Sequence, residues 1–279
     1  MKVEIIDIQH KLLSQYIQSF LFISASGAMS HAYTTFPNTN LCLAIYRSNN
    51  IDYIREDGQN LCQIYQGTEL FKSRLYGFHD QPFNARIQSS LDQICILFYP
   101  GALRAFTNVP FDELLACERV FDMIFPFSAT SVLEQLFTET SNVLRAQTLE
   151  SFLLKRCSPL NASPIVLNAL TEMTDKMPDQ KKIDDIAKRC GVHPSTLYRL
   201  FLSDIGQSPK TFLNTVRFRK ALRHVLTDEK NSFTNITYQN SFYDQPHFIK
   251  EIKRFSGYSP AQLRKIASIE QQQLAWIVR

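Results

Sequence analysis

The sequence predicts an α+β protein in two parts. Residues 1–160 are expected to form an antiparallel β-barrel-like domain with added helices, and residues 161–279 an all-α domain. Short apolar segments separated by turn residues fill the first hundred positions, which is typical of strands. After Pro100-Gly101, apolar residues recur at intervals of three and four, and a helical pattern occurs twice near the end. A chain of 279 residues can bury two separate cores.

Strand candidates follow one another through the first half. They lie at residues 41–46, 60–65, 71–76, 84–88 and 93–98. Turn dipeptides punctuate them at Asp57-Gly58, Gln66-Gly67 and Pro100-Gly101. Strands at this spacing favour an antiparallel barrel or sandwich. Residues 5–22 fit either a helix or a strand.

The segment after these strands is predicted to be helical. A short helix is expected from Pro110, and residues 131–154 predict one long helix or two shorter ones. The apolar stripe of 131–154 either packs on the sheet of its own domain or forms a dimer seam. Cys157–Pro164 has the composition of a linker, and Pro164 with Ser163 as its N-cap starts a new helix that ends at Met177-Pro178.

Charge is distributed unevenly along the chain. Residues 1–160 carry 12 Lys/Arg and 15 Asp/Glu, whereas residues 161–279 carry 18 and 11, so the net charges are −3 and +7. The second half is therefore the part expected to meet a polyanion. Six scattered cysteines without a Cys-x-x-Cys pair favour buried thiols in a reducing cytoplasm. A basic, apolar leader is absent from the first residues, and no segment is predicted to span a membrane.

The second half contains one pattern twice. The first copy runs from Ile183 to Phe201 and the second from Phe233 to Phe255. Each is followed by a Gly-x-Ser-Pro motif, at residues 206–209 and again, offset by 51 residues, at 257–260. Both copies predict a helix, a turn and a second helix. This is the helix-turn-helix unit, whose second helix can enter the major groove of DNA.

The first unit, about residues 182–203, has Gly191 in its turn, where a positive φ is tolerated, and Pro194 opening its second helix. The buried face of that helix is expected to contain Leu197, Leu200 and Phe201. Its outer face then consists of Ser195, Thr196, Tyr198, Arg199 and Ser203. Among these, Arg199 is the best base reader, because its guanidinium matches the O6/N7 edge of guanine.

The second copy extends the pattern into a longer motif, Phe242-Tyr243-Asp244-Gln245-Pro246-His247-Phe248-Ile249-Lys250-Glu251-Ile252-Lys253-Arg254-Phe255-Ser256-Gly257-Tyr258-Ser259-Pro260. It resembles the signature of the AraC/XylS family of bacterial transcription regulators, Gly-Phe-x-Asp-Gln-x-x-Phe-x-Arg-x-Phe-Lys-x-x-x-Gly-x-Ser/Thr-Pro. The resemblance covers about residues 164–267 and implies seven helices. Two helix-turn-helix units, about 182–203 and 233–255, would be joined by a long helix at 209–226 and would read double-stranded DNA one helical turn apart.

The resemblance also implies which residues contact DNA. In the first unit Ser195, Tyr198 and Arg199 occupy base-contacting positions, with Thr196 beside them. In the second unit these positions hold Gln245, His247, Ile249 and Lys250. Gln245 suits adenine and Lys250 suits guanine, whereas His247 can equally be a half-exposed polar residue. Lys253 and Arg254, with Lys210 and Arg217, are expected at phosphates or on solvated faces.

Several residues of the second unit depart from the family pattern. Ser241 replaces the usual glycine of the turn and Thr237 replaces the usual alanine, while Lys250 and Ile252 stand where arginine and phenylalanine are commoner. A positive φ at Ser241 would cost about 1 kcal/mol.

The front half resembles a variant sensor domain found with such regulators, through residues 91–103 and the later Phe111-Asp112-Glu113-Leu114. This implies a β-barrel followed by dimerisation helices. Two functions remain open: a homodimeric regulator that binds a small-molecule effector and contacts RNA polymerase, or a ligand-independent regulator whose front domain only dimerises or binds a protein.

An enzyme, a metal site and a cofactor are not expected. The six histidines are dispersed rather than clustered, which argues against a metal. No cysteine has an activating partner nearby in the sequence, and no Gly-rich phosphate loop occurs, so an enzyme fused to a DNA-binding module is disfavoured.

Overall fold

The computed structural model describes residues 1–27, 29–54, 60–77, 79–174, 182–228, 231–240, 242–270 and 274–278. The strands are β1 (Lys2–Asp7), β2 (Ile17–Ala25), β3 (His31–Thr35), β4 (Leu41–Tyr46), β5 (Asn49–Ile54), β6 (Leu61–Gln66), β7 (Ser73–Tyr76), β8 (Phe83–Ile87), β9 (Leu91–Phe98), β10 (Ser268–Glu270) and β11 (Leu274–Val278). The helices are α1 (Phe111–Ala116), α2 (Val120–Ile124), α3 (Ala129–Thr138), α4 (Asn142–Leu154), α5 (Pro164–Thr174), α6 (Ile183–Arg189), α7 (Pro194–Asp204), α8 (Pro209–Thr227), α9 (Phe233–Gln239), α10 (Gln245–Ser256) and α11 (Pro260–Ile266). None of the helices in these ranges is long and apolar enough to cross a membrane.

The strands form two sheets, in the orders β1-β2-β9-β4-β7 and β10-β11-β3-β8-β6-β5. Among the described strands the pairings are antiparallel except for β6 with β8. The α+β class and the barrel-like β domain are confirmed, with the two sheets facing each other rather than closing into one cylinder. The ambiguous segment 5–22 contains the end of β1, a 3-10 turn at Leu13–Gln15 and most of β2. The predicted Asp57-Gly58 turn lies outside the described residues.

The first sheet is buried on both faces, because alternate residues of its strands point to opposite sides. In β2, Phe20 and Phe22 pack against helices α1–α4, whereas Leu21 and Ile23 pack against the second sheet. Strands β4 and β9 alternate in the same way. The front half therefore has one core between sheet and helices and another between the two sheets.

Helices α3 and α4 pack on this sheet, which confirms the first interpretation of the 131–154 stripe. Leu133, Leu136 and Leu153 are fully buried in the core between sheet and helices. The helix breaks after Thr138 and restarts at Asn142, so the stripe changes phase. As a result, Val143 and Leu144 point to solvent.

The back half contains the seven helices that the resemblance implied, α5–α11, within the described residues between 164 and 267. They enclose two cores that share helix α8. Phe212 and Leu213 near its start belong to the core of the first unit, and Phe218 and Leu222 farther along belong to the core of the second. The predicted end of α5 at Met177-Pro178 lies outside the described residues.

The last two strands return to the front half, which the sequence did not predict. Strand β11 pairs antiparallel with β3, placing Trp276 opposite Thr35 and Val278 opposite Tyr33. Trp276 enters the core between the two sheets, and Ile277 joins Phe36 in the core of the second helix-turn-helix unit. Both halves therefore contribute side chains to the same cores.

Candidate DNA-binding surface

The first unit has the geometry of a tight helix-turn-helix. The backbone N–H of Val192 donates to the carbonyl of Ala187 at 3.0 Å, and that of Cys190 to Ile186 at 2.9 Å, closing the end of α6. Gly191 has a φ of 70°, as predicted. Since a Cβ at this glycine would meet no atom within 4 Å, the backbone angle alone explains the preference for glycine.

Helix α7 begins at a side-chain cap. The ring Nδ1 of His193 accepts a hydrogen bond from the backbone N–H of Ser195 at 3.3 Å, and Pro194 occupies the first helical position, where its missing N–H costs nothing. The hydroxyl of Ser195 lies 2.8 Å from the same ring nitrogen. Ser195 is exposed, while Thr196 is half-buried.

The outer face of α7 is open to solvent. Tyr198 and Arg199 are exposed one turn into the helix, on the side opposite fully buried Leu197 and Phe201. An extended guanidinium and a phenol on one helix face provide donors for guanine and for phosphate.

The second unit has the same turn, and its structure accommodates Thr237 in place of the usual alanine. The N–H of Phe242 donates to the carbonyl of Thr237 at 3.1 Å, as Val192 does to Ala187 in the first unit. Thr237 is fully buried, and its hydroxyl donates to the Phe233 carbonyl at 2.7 Å, so its extra oxygen has a partner. Ser241 lies outside the described residues, so the cost assigned to it stays a prediction.

Helix α10 is capped by Asp244, whose carboxylate accepts from the N–H of His247 at 2.8 Å. Gln245 is half-buried, and its Oε1 accepts from the Thr234 hydroxyl at 2.9 Å. This contact occupies its amide oxygen, and the amide nitrogen is a donor. His247 is exposed, with its ring edge-on to Phe242 at 5.6 Å between centroids.

The remaining predicted contacts on α10 divide into two groups. Lys250 and Lys253 are exposed. Ile249, in contrast, is half-buried against the core of the second unit. Arg254 lies over the Phe255 ring at 4.3 Å, pairs with Glu251 at 3.0 Å, and approaches Asp80 of the front half at 3.9 Å.

Helix α8 packs against both helix-turn-helix units and so sets their relative position. Phe212 contacts Phe201 of α7 edge-on at 6.0 Å, and Phe218 stacks on Phe255 of α10 at 4.8 Å with an interplanar angle of 15°. Near its far end, the Nδ1 of His224 accepts a hydrogen bond from the side-chain amide of Asn240 at 2.9 Å, and burial lowers the pKa of this histidine. Arg264 closes the helix end by donating to the carbonyls of residues 225, 228 and 231.

One contact between the halves was missed by the sequence reasoning. Arg104, which is buried, donates to the carbonyl of Ser203 at the end of α7 at 2.7 Å and also to that of Val109 at 2.7 Å. A cation there complements the negative end of the helix dipole. Nothing in the sequence near Arg104 indicates a partner 99 residues away.

Comparison with known proteins agrees with this architecture. Residues 186–266 match the family described as "Helix-turn-helix domain". The HTH-type transcriptional activator RhaS of Escherichia coli is 30% identical over 137 residues, which cover 49% of this chain and 47% of that protein. The chain therefore contains a helix-turn-helix domain of this family. It spans about half the length of the curated relatives it matches.

Solved structures and the front half were compared in the same way. The C-terminal domain of AraT from Geobacillus stearothermophilus is 24% identical with a TM-score of 0.37, covering 40% of this chain and 92% of that one. ToxT from Vibrio cholerae is 11% identical with a TM-score of 0.41, covering 90% and 98%. Residues 10–117 match a family described as "Domain of unknown function (DUF6597)".

Proposed function

We propose that this protein is a sequence-specific, DNA-binding transcription regulator. The observation that supports this most directly is the pair of recognition helices, α7 and α10, with Arg199 and Lys250 exposed on them and helix α8 fixing their spacing. The +7 charge of residues 161–279 supplies the attraction for phosphate.

Base reading is assigned to the exposed polar residues of both helices. Arg199 and Lys250 donate to guanine O6/N7, and the amide nitrogen of Gln245 donates to a base acceptor. Each such contact discriminates against a wrong base by about 1–3 kcal/mol. Lys253 contacts phosphate, and Ile249 contributes mainly through its packing on the second core.

The experiment is a salt titration of DNA affinity, measured by fluorescence anisotropy with the full chain. The logarithm of the association constant should fall linearly with the logarithm of salt concentration, by about 0.9 per phosphate neutralised. Lys253→Ala should reduce that slope by about 1. Affinity that does not change with salt would contradict the proposal.

The front half is proposed to bind a small-molecule effector, and a cavity between its two sheets supports this over the ligand-independent alternative. A reproducible rise in the melting temperature of the full chain with one class of metabolite would support the effector. A uniform absence of shifts would favour a front domain that only dimerises or binds a protein.

Homodimerisation through α3 and α4 is also proposed. Phe127 is fully exposed with a φ of 68°, and Leu144 of α4 lines the same surface depression. The neighbouring Val143 is also exposed. A strained, solvated phenylalanine next to apolar residues fits a surface that a second copy covers. Leu144→Glu should then shift the sedimentation coefficient from dimer to monomer, whereas Glu134→Gln, at an exposed position of α3, should not. Contact with RNA polymerase is proposed as the means of regulation, because RhaS is named a transcriptional activator.

A further inference from the structure

The turn of the second helix-turn-helix unit contains one residue more than the turn of the first, and the structure identifies this residue as Tyr243. Val192 and Phe242 occupy the same place in the two turns, because the N–H of each donates to the carbonyl five residues earlier, at 3.0 and 3.1 Å. His193, the N-cap of α7, follows Val192 directly, whereas Asp244, the N-cap of α10, comes two residues after Phe242. Tyr243 lies between them and has no counterpart in the first unit.

The side chain of Tyr243 lies outside the core of the second unit. In the first unit, Val192 packs against the core, as expected of an apolar residue just before an N-cap. In the second unit Phe242 takes this role, with its ring 5.3 Å from that of buried Phe248. Tyr243 is 88% exposed, and among the large apolar and aromatic side chains of the described ranges only Phe127 is more exposed. Since the first unit closes the same turn without such a residue, folding does not explain a tyrosine here.

Tyr243 precedes the end of α10 that the proposed function places in the major groove. The N-terminal residues of a recognition helix contact base edges, so the sugar–phosphate backbone that borders the groove lies beside the residues just before the helix. Tyr243 is two residues before Gln245, which begins α10, and four before the exposed His247. Tyrosine is one of the side chains that commonly bind phosphate oxygens in complexes with DNA.

A phenol suits a phosphate at this position better than a cation does. It has one O–H donor and no charge, and a phosphate oxygen is an acceptor. The neighbouring Asp244 directs its carboxylate to the N–H of His247 at 2.8 Å and so caps α10. A lysine or arginine beside this carboxylate would pair with it and weaken the cap, whereas a neutral phenol leaves the cap intact.

We propose that Tyr243 is a further DNA-contacting residue, whose phenol donates a hydrogen bond to a phosphate of the strand that borders the N-terminal end of α10. The inference rests on the proposed function, because it requires α10 to enter the major groove. The contact fixes the position of α10 on the duplex and carries no sequence information of its own. The second unit therefore holds the DNA backbone through a neutral donor that has no equivalent in the first.

The test is the DNA affinity of Tyr243→Phe, measured by fluorescence anisotropy with the full chain and a duplex selected from a random pool. Loss of the hydroxyl should weaken binding by about tenfold, as expected for one hydrogen bond to a charged acceptor. The loss should be equal for the selected duplex and its single-base variants, because each of them presents the same phosphate. The dependence of affinity on salt should not change, because a neutral donor releases no counterion.

Two matched variants serve as controls. Tyr99→Phe makes the same chemical change at an exposed position of the front half and should leave the affinity unchanged. Lys253→Ala should weaken binding and also reduce the salt slope by about 1, because it removes a cation. The urea midpoint of Tyr243→Phe should equal that of the unmodified protein, because the ring is exposed, so that its lower affinity reflects the DNA contact and not unfolding.

Unchanged affinity of Tyr243→Phe would overturn the inference. A loss confined to variants of one base position would also overturn it, because Tyr243 would then read a base. The unmodified chain separates this inference from the proposed function. Salt-dependent binding of the unmodified chain with equal affinity of Tyr243→Phe refutes only the phosphate contact, whereas absence of salt-dependent binding by the unmodified chain refutes the proposed function itself.

Discussion

Replacing Arg104 by methionine should loosen the attachment of the first helix-turn-helix unit to the front half. Its guanidinium makes two short hydrogen bonds, to Val109 within its own half and to Ser203 across to α7, both at 2.7 Å. Hydrogen bonds to a charged group contribute about 1.5–3 kcal/mol each. The bond to Ser203 alone should therefore favour the docked arrangement by about 10-fold to about 150-fold.

Native-state hydrogen exchange measures this directly. The amides of Ile205 and Gly206, which follow Ser203, should exchange faster in Arg104→Met by the same factor. Arg156→Met is the matched control, since Arg156 donates to Ser128 and to the carbonyl of Phe152 within the front half. Equal acceleration at the end of α7 in both variants would refute the role of Arg104, because it would reflect general destabilisation of the front half.

Three further substitutions test the surface and its support. Arg199→Ala should relax base preference at one position of the site by about 1–3 kcal/mol, measured against single-base variants of a bound sequence; unchanged discrimination at every position would contradict the assignment. Gly191→Ala should lower the free energy of unfolding by about 1–2 kcal/mol, because a positive φ strains an alanine backbone. Gly191→Asn should lower it by less, because asparagine tolerates a positive φ better. Equal urea midpoints for the unmodified protein and both variants would contradict this prediction. Burial lowers the pKa of His224 below 6.5, so the unfolded chain binds the proton more readily and stability should fall as pH drops below that value. His224→Gln should reduce this loss of stability as the pH falls below 6.5, and an identical pH dependence in both proteins would show that His224 has no part in it.

The features predicted correctly from the sequence are those that depend on local geometry. The positive φ at Gly191, the start of α7 at Pro194 and the span of α8 all follow from turn chemistry and helical periodicity within a few residues. The repeat made these signals stronger, because each occurs twice at nearly constant spacing.

Features that depend on distant partners could not be predicted in this way. The periodicity of α8 does not show that Arg219 lines a cavity in the other half, and the short apolar segment around Trp276 gives no sign of pairing with β3. Ile249 and Arg254 occupy base- or phosphate-contacting positions in the family pattern. Their packing on the second core and their approach to Asp80 depend on this chain's own tertiary contacts.

The central claim is that two unequal recognition helices read DNA from one rigid support. Selection of bound sequences from a random duplex pool by the full chain tests it most directly. We predict two short conserved segments, about 10–10.5 base pairs apart, with Arg199→Ala losing preference within one segment only. A pool without enrichment, or one conserved segment that neither Arg199→Ala nor Lys250→Ala alters, would contradict the account.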